Sequence, residues 1–101
     1  MKIRVLGTHE IVESYEFASI HGDISHSAEE TMKLLTEYRD SNDVGLVFVD
    51  NMTFKDAEEQ IIGFMDKNQM PLILTVPDRE GNIPDNSKFF KLLENLIGLK
   101  I

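Results

Sequence analysis

Asp50 and Thr75 are the two residues whose types and positions could do chemistry together. Asp50 follows the apolar run VGLVFV, Val44 to Val49, and Thr75 lies near the end of LILTV, Leu72 to Val76. If both runs are parallel strands, the two polar groups sit beyond carboxyl ends, where open parallel sheets bind ligands. A carboxylate there could accept a phosphoryl group, but that transfer needs a divalent ion to offset the charge on the moving group. The ion would need further acids after the first strand, and that position reads Gly7, Thr8, His9, Glu10. The same loop has one glycine and no lysine, so it matches neither G-x-G-x-x-G nor G-x-x-x-x-G-K-[ST], whose backbone amides cradle phosphates. Asp50 is therefore read as a strand-end or helix-capping aspartate.

The remaining candidates weaken in the same way. His9, His21 and His26 share no helical or strand periodicity, and there is no cysteine, so a metal site would rest on residue type alone. Glu29 with Glu30, and Asp56 with Glu58 and Glu59, resemble paired carboxylates, but each cluster falls in a first helical turn, where the helix dipole favours negative charge. Glu58 alone points into an apolar arc, between Ile62 and Met65, so it either escapes at the helix end, the favoured reading, or meets a cationic partner. No catalytic residue, cofactor or metal is expected.

The elements that would position these groups alternate. Lys2 to Leu6 reads as a strand ended by Gly7, and Ile11, Val12, Tyr15 and Ala18 follow at helical spacing. A weak extended stretch surrounds Asp23 to Ser25. Ser27 and Glu30 form an S-x-x-E capping box opening a helix with Ala28, Met32, Leu35 and Tyr38 on one face. The near-continuous apolar runs Val44–Val49 and Leu72–Val76 read as strands covered on both faces and central in a sheet. Between them Thr53 can cap a helix in which Phe54, Ala57, Ile61 and Met65 share a face. Asp78 to Asn86 reads as a loop. A last helix is expected from about Ser87 to Ile97, with Gly98 as its stop. Its apolar residues Phe89, Phe90, Leu92, Leu93, Leu96 and Ile97 spread over roughly 160°, wider than covering a sheet requires. The pattern predicts an α/β fold: a small four-stranded parallel sheet flanked by helices on both faces, (βα)4, of flavodoxin- or receiver-like type.

Length and charge bound the function. The 101 residues suit one domain, 1–101, able to bury roughly 65% of its unfolded surface. Ten Lys and Arg against eighteen Asp and Glu leave a net charge of −8, which argues against nucleic acid or an anionic membrane as partner. No run approaches the length of a membrane span, and the apolar start is too short for a signal-peptide core.

Asp43 to Val76 resembles the middle third of a response-regulator receiver, which keeps an atypical receiver-like signalling domain with Asp50 as phospho-acceptor as the alternative. The acidic pair after the first strand and a final strand with its lysine are missing from that pattern. The whole chain resembles something else. MKIRVLG at the start, DVGLVFV at Asp43–Val49, MPLILTVPDREG at Met70–Gly81 and LIGLKI at Leu96–Ile101 are similar, in order and spacing, to the F subunit of the archaeal and bacterial A/V-type ATPases. Thr8 stands where that family usually has an acid, Ser14 to Ser19 replace its G-F-[RK]-L-A-G segment, and Asp50 and Asn51 stand where it often has a hydroxyl and an acid. The resemblance implies a non-catalytic part of the central stalk, or rotor shaft, of an ion-translocating V/A-type ATPase or ATP synthase. Such a part binds the coiled-coil D subunit inside the catalytic A/B ring. It would take no small-molecule substrate and would be cytoplasmic, meeting the membrane only through the complex. The over-wide last helix nominates Phe89, Phe90 and Ile97 as partner-binding residues, with the strand-end loops around Asp50 and Arg79 next in line.

Overall fold

The computed structural model describes residues 1–82, 85–87, 90–91 and 94–95. Within them the order is β1 (Lys2–Gly7), α1 (His9–Glu16), β2 (Gly22–Ile24), α2 (Ala28–Ser41), β3 (Val44–Asp50), α3 (Asn51–Asp56), α4 (Glu58–Lys67) and β4 (Leu72–Val76). The four strands form one sheet in the order β2-β1-β3-β4, and every pairing is parallel. The expected α/β architecture is the observed one.

The pleat divides the strands between two apolar layers. Leu6, Val47, Val49 and Ile73 pack with Leu35 and Tyr38 of α2 and with Ile61, Phe64 and Met65 of α4. On the opposite face Val5 and Phe48 meet Ile11, Val12 and Tyr15 of α1, and the Tyr15 and Phe48 rings lie 5.6 Å apart at a tilt. Leu6, Leu35 and Ile61 are completely buried, and each such side chain contributes roughly 1.5–3 kcal/mol relative to exposure.

Local signals explain several boundaries. Ser27 Oγ accepts the Glu30 N–H at 3.1 Å, as the capping box requires. The Glu30 side chain lies beside His26 Nδ1, at 3.1 Å, instead of closing the reciprocal half of the box. Asn42 ends α2 in the left-handed region (φ 63°), a conformation asparagine tolerates better than most residues. Tyr38 donates to Asp23 and so ties α2 to the edge strand β2. Burial, then that carboxylate, push its phenol well above the ordinary tyrosine range. At the other end of the sheet Lys2 Nζ lies 3.0 Å from Asp43, and Lys2 and Ser41 hold that carboxyl below the usual carboxylate range.

Three expectations need correction. LILTV is not central: β1 and β3 occupy the interior, and β4 ends the described sheet. Apolar runs report coverage above and below a strand, and those layers cover an end strand as they cover an inner one. The helix after β3 is capped by Asp50, one turn earlier than Thr53, and it breaks at Ala57 (φ −131°, ψ 29°) into α3 and α4. Its two halves answer to different anchors, the Asp50 cap for α3 and the sheet for α4. Ala18 lies beyond α1 and is exposed. Of the last helix, Ser87, Phe90, Lys91, Glu94 and Asn95 are helical; Phe89, Leu92, Leu93, Leu96, Ile97 and Gly98 lie outside the described residues.

Candidate functional site

The carboxyl ends of β1 and β3 meet around Asp50, which is completely buried. Its Oδ1 accepts the Thr53 N–H at 2.9 Å. Its Oδ2 accepts the Thr53 hydroxyl at 2.8 Å and the Thr8 N–H at 3.0 Å. One carboxyl group thus caps α3 and clamps it to the first residue after β1. The clamp requires Gly7: a Cβ there would stand 2.1 Å from Asp50 Oδ2, far inside van der Waals contact. That glycine serves a close approach by a carboxylate rather than a phosphate.

This arrangement answers the phosphoryl-acceptor reading. Both carboxyl oxygens are engaged by donors from the protein, and none of Asp50 is exposed. Thr75 does not hydrogen-bond to it. Across β3 and β4, Asp50 pairs with Val76, and Thr75 stands opposite Val49. Thr75 is instead held through its backbone, with Asn86 Oδ1 accepting its N–H at 2.8 Å and Asn86 Nδ2 donating to its carbonyl at 2.9 Å. That amide imitates a fifth strand along the outer side of β4. Acetyl phosphate with Mg²⁺ is therefore expected to leave the chain's mass unchanged by intact-protein mass spectrometry; a phosphoryl adduct lost on Asp50→Asn would contradict the burial.

Around this centre the acids are structural. Asp78, 8% exposed, accepts Glu80 N–H at 3.0 Å, Asn82 N–H at 3.1 Å and Asn82 Nδ2 at 2.8 Å. Those bonds, Asn82's side chain foremost, hold its carboxyl below the ordinary range. Glu58 is exposed in the first turn of α4, escaping the apolar arc as expected. His9, His21 and His26 are exposed on three separate segments, with His9 beside Glu13 and His26 beside Glu30. No three His, Asp or Glu converge to hold a metal ion among the described residues. Among the same residues no helix is long and apolar enough to cross a membrane.

Of the nominated partner-binding residues, Phe90 is 46% exposed. Arg79 is exposed and reaches Glu10 of α1 at 3.4 Å, joining the loop after β4 to the first turn after β1. Phe89 and Ile97 lie outside the described residues. Sequence reasoning missed Phe17, which is 88% exposed at the end of α1. A helical wheel could have found it, because at 100° per residue it falls about 165° from the centre of the Ile11, Val12, Tyr15 stripe.

The family model described as "ATP synthase (F/14-kDa) subunit" matches residues 3–91. The F subunits of the A-type ATP synthases of Thermococcus sibiricus and Pyrococcus abyssi are each 26% identical to this chain over 106 aligned positions, covering 100% of it and 98% of theirs. These likenesses span the sheet, the Asp50 clamp and the β4 loop together, in agreement with the motif resemblance. The chain is a member of the ATP synthase (F/14-kDa) subunit family.

Proposed function

We propose that this chain is a non-catalytic central-stalk component of an A/V-type ATPase or ATP synthase. It docks on the coiled-coil D subunit within the A/B ring and meets the membrane, from the cytoplasmic side, only through the assembled complex. The observation that supports this reading most is the likeness over the full chain to the F subunits, from the first strand to the last residues. The strand-end geometry is in keeping with it, since Asp50, the carboxylate at the end of β3, is spent on holding the fold.

Binding of the purified chain to the D subunit of its own complex, followed by calorimetry, tests the reading. A stable one-to-one complex is expected, and absence of binding would refute it. Phe90 on the last helix is the aromatic anchor proposed for that contact, since large aromatic side chains dominate interface energetics. Phe90→Ala is expected to weaken binding about 30-fold, or roughly 2 kcal/mol at about 1.4 kcal/mol per tenfold, with a melting curve run alongside to show that the variant stays folded. Unchanged affinity would move the contact off this part of the helix.

A further inference from the structure

The end of α1 is built against its own electrostatics. The carbonyl end of a helix carries partial negative charge and favours cations. α2, α3 and α4 each place a cation in the last turn, Arg39, Lys55 and Lys67, which offsets the acid beside it, Asp40, Asp56 and Asp66. α1 has no basic residue in its last turn and ends in Glu13, Ser14, Tyr15, Glu16. Among the described residues Glu13 is paired with His9 alone, at 3.4 Å between largely exposed side chains. Among the described residues Glu16 has no cationic partner.

Phe17 follows in helical geometry (φ −60°, ψ −28°), 88% exposed and one turn beyond Glu13. Glu13 and Phe17 therefore lie side by side on the outer face. Ile11 and Val12 fill the inner one. The two carboxylates sit at the wrong end of the helix, at a cost to the isolated fold, and the phenyl ring beside them, left in water, gains nothing from folding. A partner that brings cations and an apolar contact together relieves both.

We infer that Glu13, Glu16 and Phe17 form a docking surface for a basic helical segment of the coiled-coil partner, one presenting Lys or Arg a turn away from an apolar side chain. The inference rests on the docking reading above and adds a second contact, apart from Phe90. The charge complementarity decides the occupant: an acidic or uncharged helix would leave the two carboxylates uncompensated, and a second copy of this chain would bring the same signs together.

The test uses the purified D subunit and the full chain in three forms: parent, Glu13→Lys/Glu16→Lys and Phe17→Ala. The charge-reversed variant is expected to bind at least tenfold more weakly at low salt, with the gap narrowing at high salt as screening grows, and Phe17→Ala about tenfold more weakly at either. Both variants are expected to melt at or above the parent temperature. No core contact is lost, and the reversal puts cations at the carbonyl end of α1, where the helix dipole favours them and where each neighbouring helix carries one. Weaker binding with undiminished stability separates a docking role from a structural one. If the parent binds the coiled-coil protein and both variants bind it within twofold of the parent, the α1 surface is refuted while the docking reading stands. If the parent itself does not bind, the docking reading falls and this occupant falls with it.

Discussion

Asp50→Ala is expected to be among the most damaging single substitutions in this chain, lowering stability by about 3 kcal/mol. The change removes the cap of α3, a loss worth roughly 0.5–2 kcal/mol by itself. It also leaves the buried Thr53 N–H, the Thr53 hydroxyl and the Thr8 N–H without the acceptor they share. An orphaned buried donor costs about 1–3 kcal/mol, and at roughly 4–8 °C per kcal/mol for a domain near this size the melting temperature should fall by more than about 10 °C. Asp50→Asn keeps one acceptor oxygen for the Thr53 N–H, but it turns an amide donor toward the Thr8 N–H, so an intermediate loss is expected. Urea titration of the three proteins provides the check. A fall below about 1 kcal/mol for the alanine variant would mean that water or a rearranged loop replaces the carboxylate, and the clamp would not be the organising feature of the strand ends.

Gly7→Ala is expected to destabilise the chain by about 2 kcal/mol, in the range of over-packing a well-filled site, and to lose nearly all of that effect when Asp50 is also alanine. Gly7 has no left-handed conformation to protect, so Ala itself carries no backbone penalty there. The penalty arises because its Cβ would stand 2.1 Å from Oδ2 and 3.1 Å from the carboxyl carbon of Asp50. The Asp50 Cβ, which alanine retains, would be 3.6 Å away, an ordinary contact. The double-mutant cycle should therefore return a coupling of about 2 kcal/mol, within the span for residues in direct contact. Additive losses would show instead that Gly7 matters for a reason unrelated to Asp50.

The two substitutions also mark the division between what could be read along the chain and what could not. The alternation of apolar periods made the four strands, the intervening helices and the parallel α/β class legible, because strand and helix periods are local and differ by nearly twofold. The Ser27 cap and the first-turn acids Glu29, Glu30, Glu58 and Glu59 were legible for the same reason, since each lies within one turn of the helix end it serves. Asp56, read as part of the same first turn, instead ends α3, because the helix breaks at Ala57. Composition and spacing also ruled the phosphate-cradling loops out of consideration without any coordinates.

Tertiary structure alone decided the rest. Asp50 took the cap from Thr53 because β1 delivers the Thr8 N–H to it, across 42 positions of sequence, and no local propensity carries that information. Gly7 owes its identity to the same distant carboxylate. LILTV became the end of the described sheet because its apolar faces record the layers above and below it, and strand order depends on where each crossover returns. The helix divided at Ala57 because its two ends answer to different partners. Phe17 was visible on a wheel as an outlier, but only the packed fold, with Ile11 and Val12 turned inward against Val5, left the ring in water beside Glu13 and Glu16.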